Sequence, residues 1–148
     1  MCSAQRFEIG SRLEADGQIP QIDVIGEGGL HSALAALAEN AHHPRVGLLQ
    51  PVPCGTEFLT LLRDYHTMIV STTGDEQSRV IYDANSRAVP VIATDTPGNR
   101  DVIFGGQTGC LPKWATAQIL AEILVGWFCE PAQGVGLHGI GPCARLYA

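Results

Sequence analysis

Apolar and polar positions in this chain switch repeatedly between a strand-like and a helix-like period. Ile22-Asp23-Val24-Ile25 is a short β-branched run stopped by Gly26, which reads as a buried strand. Leu30, Ala33, Leu34, Leu37 and Ala38 then recur at helical spacing, along one face of a helix that ends near Asn40. Val46-Gly47-Leu48-Leu49 is a second strand, closed by Pro51 and Pro53, and Phe58, Leu61, Leu62 and Tyr65 mark a second helix. Thr67-Met68-Ile69-Val70 is a third strand, Val80, Ile81 and Ala84 a short helix, and Val89 to Thr94 a fourth strand. Thr96-Pro97-Gly98 is a turn that leads into a helical turn over Asn99 to Val102. Gly105 to Leu111 reads as a turn into a short strand, and Ala117 to Phe128 as a final helix.

Strands alternating with helices at this spacing predict an α/β fold, a parallel sheet with helices on both faces. Outside residues 21–129 the pattern fades. Residues 1–20 are polar and irregular, with a weak strand signal at Arg6 to Ile9. Residues 130–148 are rich in glycine and proline and lack periodicity, so a loose tail is expected there.

Composition narrows the function. At 148 residues, 45% hydrophobic and 16% charged, the chain reads as one globular domain. Its net charge is −6 and Lys113 is its one lysine, so no basic face for nucleic acid is expected. The five cysteines (Cys2, Cys54, Cys110, Cys129 and Cys143) show no C-x-x-C spacing. Free thiols in a reducing cytoplasm are expected, rather than a disulfide framework or a zinc ribbon. The N-terminus has no apolar signal core, and the run Ile123 to Cys129 is too short to span a bilayer. None of the five histidines has metal-ligand spacing, so no metal is expected.

The candidate chemistry gathers in Gly74-Asp75-Glu76-Gln77-Ser78-Arg79-Val80-Ile81-Tyr82-Asp83-Ala84. Asp75 precedes a helix taken to begin near Ser78, and Asp83 projects from its second turn. Both carboxylates then line one cleft at the mouth of the sheet, where a carboxylate can accept two hydrogen bonds from a vicinal diol. The bland reading makes Asp75 or Glu76 helix N-terminal acids and Asp83 a solvated side chain. Arg79 either grips phosphate oxygens or pairs with a neighbouring aspartate. Arg100 and Asp101 lie in the next loop, on the same sheet edge. Gly26-Glu27-Gly28-Gly29 joins a strand to a helix, either as a close backbone approach to a ligand or as a plain tight turn.

Taken in order, these segments resemble the C-terminal domain of the group 1, retaining glycosyltransferases of GT-B fold. Ile22 to Leu30 looks like that family's strand and G-x-G-P turn, and Val46 to Val52 like its "V-x-F-x-G-x-V" strand. Tyr65 to Ser71 stands at "A-D-V-x-V-x-P-S", and Asp75 and Asp83 stand at the Glu-x7-Glu signature. Ala88 to Ala93 matches "G-x-P-V-I-A", and Gly105 to Gly109 matches "D-G-x-T-G".

The resemblance implies a Rossmann-like domain over 21–129 that binds a nucleoside-diphosphate sugar as donor substrate, with no further cofactor. It implies that Asp83 holds the ribose and that Asp75, with Glu76 as a substitute, lies near the transferred sugar as the catalytic acid. It also sets the backbone at Gln77 and Ser78 near the sugar and diphosphate. Arg12, in Gly10-Ser11-Arg12-Leu13-Glu14, echoes the family's diphosphate arginine, while Asp16 stands where its lysine belongs. The expected activity is glycosyl transfer, with an N-terminal acceptor domain or a separate subunit as partner. The alternative is a non-catalytic nucleotide-binding or regulatory module, and a nucleotide-sugar epimerase is a third reading with no residues that single it out.

Overall fold

The computed structural model describes residues 21–26, 28–40, 46–72, 74, 77–113, 116–129 and 145–147. The expected strand at Arg6 to Ile9 lies outside them. The strands are β1 (Gln21–Ile25), β2 (Val46–Leu49), β3 (Thr67–Val70), β4 (Val91–Ala93), β5 (Gly109–Cys110) and β6 (Arg145–Tyr147). The helices are α1 (His31–Asn40), α2 (Thr56–Leu61, continued by a 3-10 turn over Leu62–Asp64), α3 (Val80–Asn85), α4 (Pro97–Arg100) and α5 (Ala117–Cys129).

All described strand pairings are parallel, and the order is β2-β1-β6-β3-β4-β5. Alternation along the strands divides the core between two faces, as a period of two requires. On one face Ile22, Ile69 and Ile92 pack against Leu120, Ala121 and Leu124 of α5. On the other, Met68, Val70, Val91 and Ala93 pack against Phe58 and Leu62, and against Ile81 and Ala84 of α3. Helices therefore cover both faces, as the pattern predicts for a Rossmann-like sheet.

Local chemistry sets the boundaries. Thr96 caps α4, its hydroxyl accepting from the Asn99 amide at 3.4 Å, and Pro97 occupies the first helical position. After α3, Ala88 turns into the left-handed region at φ 57°, and the Val89 amide donates back to the Ala84 carbonyl at 3.0 Å. At β5 a side chain has no room: a Cβ on Gly109 would lie 1.9 Å from the Val91 carbonyl oxygen.

The C-terminal stretch, expected as a loose tail, carries β6 in the middle of the sheet. A strand of three residues is too short for periodicity to reveal, and its partners are far away in sequence. Residues 130–144 are outside the described set.

Candidate functional site

In a parallel sheet every strand ends on the same edge. Chain order runs outward from β1 to β2 on one side of the centre, and from β3 through β4 to β5 on the other. The direction reverses between β1 and β3, which makes this the topological switch point, where open α/β sheets bind their ligands.

β6 lies at that centre. Its pairing with β1 ends at Asp23, and its pairing with β3 ends at Met68, both opposite Tyr147. The turn Gly28-Gly29-Leu30 follows β1 at the switch point, and Ser71, Thr72, Gly74 and Gln77 to Arg79 follow β3.

Hydrogen bonds fix the β3 side. The Thr94 hydroxyl donates to the Thr72 carbonyl, and Gln77 Nε2 donates to the Gly98 carbonyl at 3.4 Å. The loops that follow β3 and β4 are thus tied to each other. Asn99, fully buried, donates from Nδ2 to the Thr94 carbonyl at 3.0 Å and braces the same corner from below.

The candidate residues divide between these flanks. Gly28 is exposed on the β1 side, and its carbonyl accepts from the His31 amide at 3.0 Å at the start of α1. Gln77, Ser78, Arg79 and Asp83 are on the β3 side. Asp75, Glu76 and Arg12 lie outside the described residues. The helix starts later than expected, at Val80 with Arg79 as its cap, so Asp83 sits in the first turn rather than the second. The Ser78 and Arg79 carbonyls are already engaged by the Ile81 and Tyr82 amides, which is what delays the first full helical turn. Asp83 is half-buried and Arg79 exposed.

Arg100 is not free to meet a ligand. Its Nε and Nη2 donate to the two Asp95 oxygens at 2.6 Å and 3.1 Å. The Arg100 hydrogen bond holds the Asp95 carboxyl below its usual range, against a smaller opposing effect of burial and with help from the charges of Arg100 and Lys113. The same bond raises the Arg100 pKa. The sequence singled out Arg100 but not Asp95, because nothing in their five-residue spacing distinguishes a fork-to-carboxylate pair across a turn. Tyr82, exposed beside Asp83, was also missed as a residue on this edge.

Among the described residues, two hollows stand out beside the sheet. One, of about 310 Å³, lies between α1 and the ends of β1 and β2, lined mostly by Val24, Leu30, Leu34, Leu48 and the glycines of the turn. The other, of about 430 Å³, lies between β5 and α5, at the far edge from the switch point. Among the described residues no group of three or more His, Cys, Asp or Glu could hold a metal ion. No described helix is long and apolar enough to cross a membrane.

The family model of the glycosyl transferases group 1 matches residues 8–127. The chain belongs to that family. A group 1 domain is expected to carry the fold just described, and solved structures agree. The Anabaena protein Alr3699/HepE, crystallised in complex with UDP-glucose, superposes with a TM-score of 0.66 at 20% identity, over 90% of this chain and 38% of that one. A glycosyltransferase from Rickettsia africae ESF-5 gives 0.65 at 14% identity, over 92% of this chain and 37% of that one. The group 1 domain described here thus spans a little over a third of each of those proteins. No curated protein matches it.

Proposed function

We propose that this group 1 domain binds a nucleoside-diphosphate sugar at the switch point between β1 and β3 and serves glycosyl transfer to an acceptor held by a second domain or subunit. The observation that carries the reading is the switch point itself, where a glycine turn follows β1 and the residues Gln77, Ser78 and Arg79 lie after β3. Family membership supports the reaction class, and the UDP-glucose bound by HepE supports the donor class.

In this reading Asp83 accepts hydrogen bonds from the ribose hydroxyls, and Arg79 and Arg12 face the diphosphate. Gln77 and Ser78 present backbone amides to the sugar and phosphate oxygens, and Gly28 allows close approach from the opposite flank. Asp75, with Glu76 beside it, orients the sugar. During transfer the bond between the anomeric carbon and the phosphate oxygen breaks, and negative charge builds on the departing diphosphate. Positive charge and oriented N–H groups set against that charge lower the barrier. No metal or further cofactor is required for this arrangement. The reading places the reaction in the cytoplasm, in keeping with the free and exposed thiol of Cys54.

Titration calorimetry of the chain against UDP, GDP, ADP and their sugar adducts tests this. One nucleotide is expected to bind, with affinity reduced about tenfold or more in Asp83→Asn, the loss of roughly one charged hydrogen bond. Binding without sugar transfer in the presence of the partner domain would favour the non-catalytic module. No binding across the panel would refute the donor site.

A further inference from the structure

One corner of the carboxyl edge, just after β4, holds two points of the connection between β3 and α3. The Thr94 hydroxyl donates to the Thr72 carbonyl, and the Gly98 carbonyl accepts from Gln77 Nε2 at 3.4 Å. The corner is itself fixed from several sides. The Thr94 amide donates to the Val70 carbonyl at 3.1 Å, which carries the β3–β4 pairing one residue further. The Thr94 carbonyl accepts from the Thr96 amide at 2.9 Å and from Asn99 Nδ2 at 3.0 Å. The Asp95 amide donates to the Pro112 carbonyl, beyond β5, at 3.2 Å. Asn99 makes its bond at a cost, since Oδ1 of this fully buried side chain has no partner among the described residues. An open buried acceptor lowers stability, and such departures concentrate where a fixed geometry is used.

We infer that Thr94 is a positioning residue for the proposed transfer: through the Thr72 carbonyl, and together with the Gln77 anchor on Gly98, it sets where the connection after β3 meets the donor. The inference rests on the donor-binding reading given above. Thr94 is half-buried and its hydroxyl proton is spent on Thr72, so it acts on the donor through that connection. The Gln77 side chain is spent likewise on Gly98, while the Gln77 and Ser78 amides donate to no backbone carbonyl among the described residues. Those amides are the groups the reading sets against the diphosphate, and their effect there depends on being held in place before charge develops. Two anchors on one corner hold the same connection, so their effects are coupled.

The test is made on the full chain by calorimetry, with UDP-glucose, GDP-mannose and ADP-glucose as probes. Thr94→Val removes the hydroxyl and keeps the branched shape, and Thr94→Ser keeps the hydroxyl. Gln77→Ala removes the second anchor at an exposed position and leaves the backbone amide. For the sugar nucleotide that binds, Thr94→Val and Gln77→Ala are each expected to weaken binding at least about fivefold, and Thr94→Ser to stay within about twofold of the unaltered chain. The double variant Thr94→Val/Gln77→Ala is expected to lose clearly less than the product of the two single losses. Unchanged affinity in Thr94→Val, a Thr94→Ser variant as weak as Thr94→Val, or losses that simply multiply would each overturn the inference and leave the donor reading intact. Should Thr94→Val fail to fold, Gln77→Ala decides, and unchanged affinity there would overturn the inference. Absence of binding across the probes by the unaltered chain would overturn the donor reading, and the inference with it.

Discussion

β1 with β2, and β3 with β4, are short parallel pairs of similar composition, but they are buried to different depths. Every residue of β3 and β4 is buried, whereas only Ile22 and Asp23 are buried in the first pair. The difference lies in what covers them. β3 and β4 are sandwiched between α5 and the pair α2–α3. The first pair has an apolar hollow beneath α1 at its mouth, and Leu30 and Leu49 remain exposed at its ends. Stability is therefore concentrated on one side of the switch point, and the thinner side is the one with room to adapt.

This contrast can be broken most directly in the core. Leu62→Ala, at a side chain with no exposure, is expected to cost about 2–5 kcal/mol, and Leu48→Ala on the thin side less than half as much. Urea unfolding of the two variants measures the difference, and equal losses would mean the halves are equally packed.

Thiol chemistry sharpens the comparison. Burial pushes the Cys110 thiol, on β5, up to about 11, while Cys54 stands exposed before α2. A thiol reagent at pH 8 is expected to label Cys54 at least about tenfold faster than Cys110, because the thiolate is the nucleophile. The linkage has a defined sign. The neutral Cys110 thiol contributes its full stabilisation below the ordinary thiol pKa near 9.0, and loses it as pH rises through about 11. Cys110→Ser should flatten that alkaline limb.

The smallest effect is expected at Arg100. Its pair with Asp95 is open to solvent and screened, so Arg100→Ala should leave stability at pH 7 almost unchanged. Because the Asp95 pKa is lowered, the pair contributes fully above the ordinary value of 3.8 and fades as pH falls below it. Acid titration of unfolding should therefore separate the variant from the unaltered chain at pH 7 and above only slightly, with the gap closing further below pH 4.

Much of this architecture was legible in the sequence. The short apolar runs at Ile22, Val46, Thr67 and Val91 are each stopped by glycine, proline or a polar turn, so strand and boundary appear together. The burial of Asp23 was not legible. A carboxylate inside an apolar strand shows its reason only when Tyr65 arrives from another element, and when Gly47 leaves room beside it: a Cβ there would lie 2.4 Å from Asp23 Oδ1. At the site, composition located the loop from Gly74 to Ala84, but it could not show that Gln77 is tied to Gly98, or that Arg100 is already spent on Asp95.

The position of β6 bears on how the chain reaches this fold. The pairings that close the centre of the sheet join residues farther apart in sequence than any other strand pairing described. Each outer pair can form locally through its own helical crossover, but the middle must wait for the most distant segment to find its seat. Contacts of such long range are slow to form, because loop closure precedes their reward. The two halves are thus expected to assemble early as separate units with open inner edges, and their union to be the late step of folding.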